Sequence, residues 1–320
     1  MLIKQIKRTI KEESLWHLFL RTLKVLAIKT HHFTIGIPCI VTGLFKEKVV
    51  KNINSYKMIL YLSDKGIARE LFIHGKREVF GTDLLYNNRL VEKGDIVLDI
   101  GANIGYFALI ESDLVGDKGK VYAVEPSFVN YKRLKENISI NGFNNILTYN
   151  LAIGDRQGKA KMYVSDRSNW SRLIERDLPD KIKEVIEVDL QTVDYFLKDK
   201  AKPNFIRMDV EGYEINIFRG MTQTLRLEKL RVFFEMHPAI LSKEEIAEIF
   251  DLFEQNGFDV KYCLLNPMLD RNPLISFAYA QLGEYNSYKG QLLETNISQA
   301  RKWALETNFM KCPHFLFCKG

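Results

Sequence analysis

The octapeptide Asp99-Ile100-Gly101-Ala102-Asn103-Ile104-Gly105-Tyr106 is the stretch of this chain best suited to chemistry. It follows a compact apolar run and precedes a helical pattern, so it reads as the turn from a strand into a helix. Gly101 and Gly105 let the backbone turn tightly there, and they let a ligand come close with no Cβ in the way. A nicotinamide-type fingerprint would read Gly-x-Gly-x-x-Gly, whereas this turn reads Gly-x-x-x-Gly behind an acid. That difference has a physical consequence. A dinucleotide sets a pyrophosphate on the helix N-terminus, where a carboxylate two residues before the first glycine would repel it.

A ligand bearing an ammonium group reverses the preference. S-adenosylmethionine carries an amino group and a sulfonium but no phosphate, and it is the expected cofactor. Glu125 supports this reading. It ends the next expected strand, 26 residues after Asp99, where an acid accepts hydrogen bonds from both ribose hydroxyls. Alone, Glu125 would read equally well as a solvated carboxylate at a strand end.

Four segments carry a family resemblance: Asp99–Tyr106, Glu125-Pro126, Ala152-Ile153-Gly154-Asp155 and Asp209-Val210-Glu211-Gly212-Tyr213-Glu214. Together they resemble the FkbM-type family of S-adenosylmethionine-dependent methyltransferases, over about residues 80–265. The last segment is the most specific to that family; the first is common to several class I methyltransferases. The resemblance implies a Rossmann-like class I fold and transfer to a hydroxyl oxygen, often on a sugar or a secondary metabolite. Carried onto this chain, it implies cofactor contacts at Asp99, Gly101, Asn103, Gly105, Tyr106, Glu125, Pro126 and Ala152.

Methyl transfer is an in-line displacement at carbon, so the acceptor oxygen must lose its proton. Asp209, Glu211 and His237 fall at the carboxyl edge of the expected sheet and are the candidate catalytic residues. Asp209 is the first choice of base and His237 the second, although His237 could equally be a strand-end residue bonded to a backbone carbonyl. Glu211 would orient the acceptor or cap the following helix. Enzymes that methylate an exocyclic base nitrogen place an Asn/Asp-Pro-Pro-aromatic run here. Two carboxylates stand in its place and would repel a phosphate backbone. In Ser168-Asn169-Trp170-Ser171 the indole could stack on a sugar face or simply pack in a surface hairpin.

The elements that must position these residues are a βαβ alternation. Strands are expected at 96–100, 120–125, 146–151, 204–210 and 231–236, with helices at 106–114, 128–140, 193–198, 214–225 and 243–255. Late strands at 258–263 and 314–319 complete a doubly wound, mostly parallel seven-stranded sheet with a late antiparallel strand. The domain is expected over 91–320, with insertions near 155–190 and 266–313, the first holding a hairpin of 159–164 with 184–189. Before it, residues 1–90 form an extension. It comprises a basic amphipathic helix at 3–29 (Leu15, Phe19, Leu23, Leu26 beside Arg21 and Lys24) and short strands at 57–62 and 70–74 around an Asp64-Lys65-Gly66 turn.

Charge distribution narrows the function further. Residues 1–51 hold ten Lys/Arg and three Asp/Glu, a net of +7, so the other 269 residues carry −1 of the overall +6. A nucleic-acid partner is therefore disfavoured for the body, and RNA methylation ranks second to hydroxyl methylation. The basic helix either contacts an anionic membrane surface peripherally or packs on the domain. A membrane-associated protein that only binds a metabolite is the alternative of another class. The four cysteines are too few and scattered for a disulfide framework, and no Cys-x-x-Cys or His-x-x-x-His pair begins a metal site. No secretory leader is legible, so a cytoplasmic enzyme without metal, acting on a hydroxylated acceptor, is expected.

Overall fold

The computed structural model describes residues 42–43, 46–87, 90–176, 182–265, 291–306 and 312–319. The chain divides into two compact units, Met1–Phe45 with Pro267–Tyr288 and Lys46–Asn266 with Lys289–Gly320. Apart from residues 42–43, the first unit lies outside the described residues, and with it the basic helix expected at 3–29.

The second unit's strands in chain order are β1 (Lys48–Ile53), β2 (Tyr56–Tyr61), β3 (Ile96–Ile100), β4 (Lys120–Val124), β5 (Ile146–Tyr149), β6 (Ala152–Gly154) and β7 (Gly158–Ser165). They continue with β8 (Ile182–Thr192), β9 (Phe205–Met208), β10 (Arg231–Glu235), β11 (Phe258–Leu265), β12 (Gln291–Glu294) and β13 (His314–Lys319). The helices are α1 (Ile67–His74), α2 (Val79–Asn87), α3 (Tyr106–Val115), α4 (Phe128–Asn141), α5 (Val193–Phe196), α6 (Glu214–Arg219), α7 (Lys243–Gln255) and α8 (Ile297–Glu306).

The main sheet runs β12-β11-β13-β10-β9-β3-β4-β5. From β5 to β10 every pairing is parallel, and β13 is antiparallel to both of its neighbours. This is the expected class I α/β sheet with its late antiparallel strand, and β12 makes it eight-stranded where seven strands were expected. The extra strand comes from the segment read as an insertion. It pairs antiparallel with the edge of β11 left open by β13, in a register that runs from Tyr262↔Glu294 to Leu265↔Gln291.

Side chains alternate across the central strands and fill both faces. Leu98 and Ile100 of β3 pack with Val232, Phe234, Phe250 and Phe253 in one core. Val97 joins Phe205, Phe233, Leu109 and Leu71 in the other. Strands covered on both faces read as continuous apolar runs, and this is why their positions were legible.

The extension departs from expectation at one element. Residues 70–74, expected as a strand, are the end of helix α1. The carboxylate of Asp64 accepts from the N–H groups of Gly66 (2.8 Å) and Ala68 (3.2 Å), which starts a helix. Ile67, Ala68 and Leu71 then fall on its buried side, and Gly75 closes it in the left-handed region (φ 67°). The partner of β2 is instead β1, paired antiparallel through a two-residue turn at Asn54-Ser55. This hairpin docks on α4, where the Ile59 N–H donates to Asn137 Oδ1 at 2.7 Å.

The hairpin expected near 155–190 forms as β7 with β8, and β6 adds parallel to β8 to give a separate three-stranded sheet. Among the described residues no helix is long and apolar enough to cross a membrane.

Candidate active site

Chain order makes β3 and β9 the point where the sheet reverses direction of growth, and a crevice opens there at the carboxyl ends of the strands. Its backbone geometry depends on glycine. Gly101 follows β3 at φ 84°, and a Cβ there would collide with the carbonyl oxygen of Asp209. Only glycine lets the loops after β3 and β9 pass this closely.

Between Gly101 and Gly105 sits Asn103, itself left-handed at φ 49°. Its N–H donates to Glu125 Oε2 at 2.9 Å, and its side-chain amide donates to the Ser168 carbonyl at 3.1 Å. Asn103 Oδ1 is buried without a hydrogen-bond partner among the described residues. The other carboxylate oxygen of Glu125 accepts from the Ser127 N–H at 2.8 Å. Burial pushes Glu125 up to about 7, against the pull of these two backbone donors. Each of its oxygens keeps a lone pair for a further donor.

Gly101, Asn103, Tyr106, Glu125, Pro126 and Ala152 all line the cavity. A buried carboxylate with spare acceptor capacity and an orphaned amide oxygen on the cavity wall suit S-adenosylmethionine. Asp99 is placed differently. It is wholly buried, is not on the cavity wall, and accepts from Arg207 Nη1 at 3.1 Å across the β3–β9 register.

Asp209 and Glu211 line the same cavity, with the Asp209 backbone packed against Gly101. Glu211 sits at φ 53° and Gly212 at φ 98°, so the chain turns sharply just after β9. Asp209 Oδ1 is buried with no hydrogen bond among the described residues, while Oδ2 lies 4.0 Å from Arg77 Nη2 and 3.9 Å from Arg207 Nη2. His237, just past β10, is 5% exposed and stands behind Glu211. Its Nδ1 is 2.6 Å from Glu214 Oε1 and its Nε2 is 3.6 Å from Glu211 Oε2. Glu214 is wholly buried and also accepts from the Gly212 N–H at 3.0 Å.

Burial works against a charged ring at His237, yet the carboxylates of Glu214, Glu211 and Glu235 outweigh it and hold the ring well above the usual histidine range. Burial likewise pushes Glu211 up to about 8, with His237 opposing and the like charges of Asp209 and Glu235 adding to it. The structure therefore brings all three candidate catalytic residues together, with Asp209 and Glu211 on the cavity wall and His237 one layer back.

Sequence reasoning missed much of the surrounding shell. Arg207 lies over the ring of Phe107, 3.7 Å from its centroid, and Arg77 pairs with Glu78 at 2.7 Å and Glu70 at 2.9 Å. His314 Nε2 stands 3.7 Å from both Glu78 and Glu235. Part of this was accessible from strand periodicity. Arg207 and Asp209 are two residues apart, as are Glu235 and His237, so each pair shares a sheet face. Glu78 and His314 offered no such signal. Trp170, the candidate sugar platform, is 39% exposed, with the Arg167 guanidinium 4.0 Å from its ring centroid.

Among known proteins, the family described as the methyltransferase FkbM domain matches residues 99–260, half of the chain. Hexuronic acid methyltransferase AglP of Haloferax volcanii is 27% identical over 205 residues, covering 63% of this chain and 80% of that protein. Methyltransferase 1 of Beauveria bassiana is 22% identical over 169 residues, 47% of this chain and 66% of its own. Among solved structures, methyltransferase FkbM from Methylobacillus flagellatus KT aligns with a TM-score of 0.38 at 14% identity, over 77% of this chain and 52% of that one.

Proposed function

Because the chain belongs to the FkbM methyltransferase family, we propose that it transfers a methyl group from S-adenosylmethionine to a hydroxyl oxygen of a glycan, glycolipid or small metabolite. The observation that carries this reading is the shared cavity. Gly101, Asn103 and Glu125 line it together with Asp209 and Glu211. A relative that acts on hexuronic acid, AglP, favours a sugar as the acceptor class.

In this reading Glu125 takes the ribose hydroxyls, Asn103 Oδ1 accepts from a donor group of the ligand, and Pro126 and Ala152 offer apolar wall to the base. When bound, S-adenosylmethionine supplies an electrophilic methyl carbon on a sulfonium. The protein's own task is at the acceptor. A neutral sugar hydroxyl is a weak nucleophile, and its proton must leave as the new O–C bond forms and the S–C electron pair passes to sulfur. Asp209 is suited to take that proton, because it lines the cavity and its Oδ1 has no internal partner. His237 is not on the cavity wall and acts through Glu211. Isothermal titration tests the donor half of the reading: S-adenosylmethionine should bind and NAD should not. Binding of both at comparable strength would contradict it.

A further inference from the structure

The acceptor end of the cavity has more ligating atoms than a proton relay uses. We propose that Asp209, Glu211 and His237 hold a divalent transition-metal cation, with open coordination positions facing the acceptor hydroxyl. The catalytic meaning of such an ion rests on the methyl-transfer reading, though its geometry does not.

Three observations carry it. One donor atom from each of the three residues falls within 4.8 Å of the other two. His237 Nε2 and Glu211 Oε2 are 3.6 Å apart, too far for a hydrogen bond. That distance suits two ligands sharing one ion, since bonds of about 2.1 Å at tetrahedral to trigonal angles put donors about 3.4–3.6 Å apart.

The second observation is a buried atom with nothing to bond. Asp209 Oδ1 is inaccessible and makes no hydrogen bond among the described residues, and it belongs to the same cluster as His237 Nε2.

The third is the shell behind the histidine. Nδ1 is engaged at 2.6 Å by Glu214, a carboxylate with no exposed surface. This carboxylate–histidine arrangement fixes the ring and presents Nε2 to an ion, as in metal sites generally. One imidazole and two carboxylates suit manganese through zinc better than calcium or magnesium.

The chemical meaning is Lewis acidity. An acceptor hydroxyl beside such an ion loses its proton more readily. The proton would pass to whichever Asp209 carboxylate oxygen the ion leaves free, as the O–C bond forms and the S–C electron pair goes to sulfur, so atoms and charge balance as in the metal-free scheme.

A second set, Glu235, His237 and Cys312, overlaps the first at His237. It is distinguishable because a thiolate ligand gives Co2+ an intense near-ultraviolet charge-transfer band that carboxylates do not.

The test uses the full chain, stripped with chelator and titrated with Mn2+ alone, with free ion followed by electron paramagnetic resonance. One tight equivalent is expected. His237→Gln should weaken it more than about tenfold, and Glu214→Gln by about 10- to 100-fold. Co2+ added to the wild-type protein should give visible bands without thiolate charge transfer, a readout that needs no variant. Absence of a tight Mn2+ equivalent in the wild type, unchanged affinity in both variants, or a thiolate band would each overturn the assignment. S-adenosylmethionine titrated into the same preparation separates the two ideas. Donor binding without Mn2+ binding refutes the ion alone, whereas Mn2+ binding without donor binding refutes methyl transfer and leaves the ion site standing.

Discussion

In the proposed reading, Glu125 is the side chain on which donor recognition turns. Replacing it with Gln keeps the shape but removes the charge, and S-adenosylmethionine affinity should fall by about 1.5–3 kcal/mol in isothermal titration. Its pH behaviour follows from burial. The carboxyl is raised to about 7 in the folded protein, so in the absence of donor its contribution to stability is full below its ordinary range and is lost as pH rises through about 7. Ribose hydroxyls prefer the ionised acceptor, so donor affinity should move the opposite way and tighten from about one pH unit below that value to about one above it. In Glu125→Gln that tightening should vanish; its persistence would place the titrating group elsewhere. Asp209→Asn should leave donor affinity nearly intact while turnover drops at least ~100-fold, the scale of a lost general base. Unchanged turnover would remove Asp209 from the proton's path. Which residues share the cavity was legible for Gly101, Asn103 and Glu125, because strand ends and turn glycines mark themselves. The surroundings of Asp99 were not, since nothing in its own segment announces Arg207 on the neighbouring strand as its partner.

At the scale of elements, the parallel strands were readable because burial on both faces leaves an unbroken apolar run. Residues 70–74 were not, because a short apolar run fits a buried helix as well as a strand. What decides between them is Asp64, whose carboxylate serves α1 and also accepts from the Ser168 N–H at 3.1 Å. One buried side chain thus ties the extension to the loop that borders the cavity. Asp64→Ala should cost about 1–2 kcal/mol in chemical denaturation and weaken donor binding as well. A stability loss with donor affinity untouched would show that the loop holds its position without this tie.

For the whole molecule, the positive excess lies in residues 1–51 while the remainder is close to neutral. This argues for an acceptor that is not a polyanion in the active-site crevice. If the basic N-terminal segment meets an anionic surface, full-length protein should co-sediment with anionic vesicles at low salt and a version lacking residues 1–29 should not. Equal sedimentation of the two would assign no membrane role to that segment. Glu78 and His314 could not be read from sequence as part of the cluster around Asp209 and Glu235, because they come from distant parts of the chain and meet those residues only in the folded sheet. The central claim remains methyl transfer to a hydroxyl, and isotope transfer tests it most directly. Glycans and glycolipids extracted from cells lacking the gene are incubated with the purified full chain and S-adenosylmethionine carrying a deuterated methyl group, then hydrolysed and analysed by mass spectrometry. The account predicts the label as an O-methyl group on a sugar residue; label found on RNA instead, with the glycan fraction blank, would contradict it.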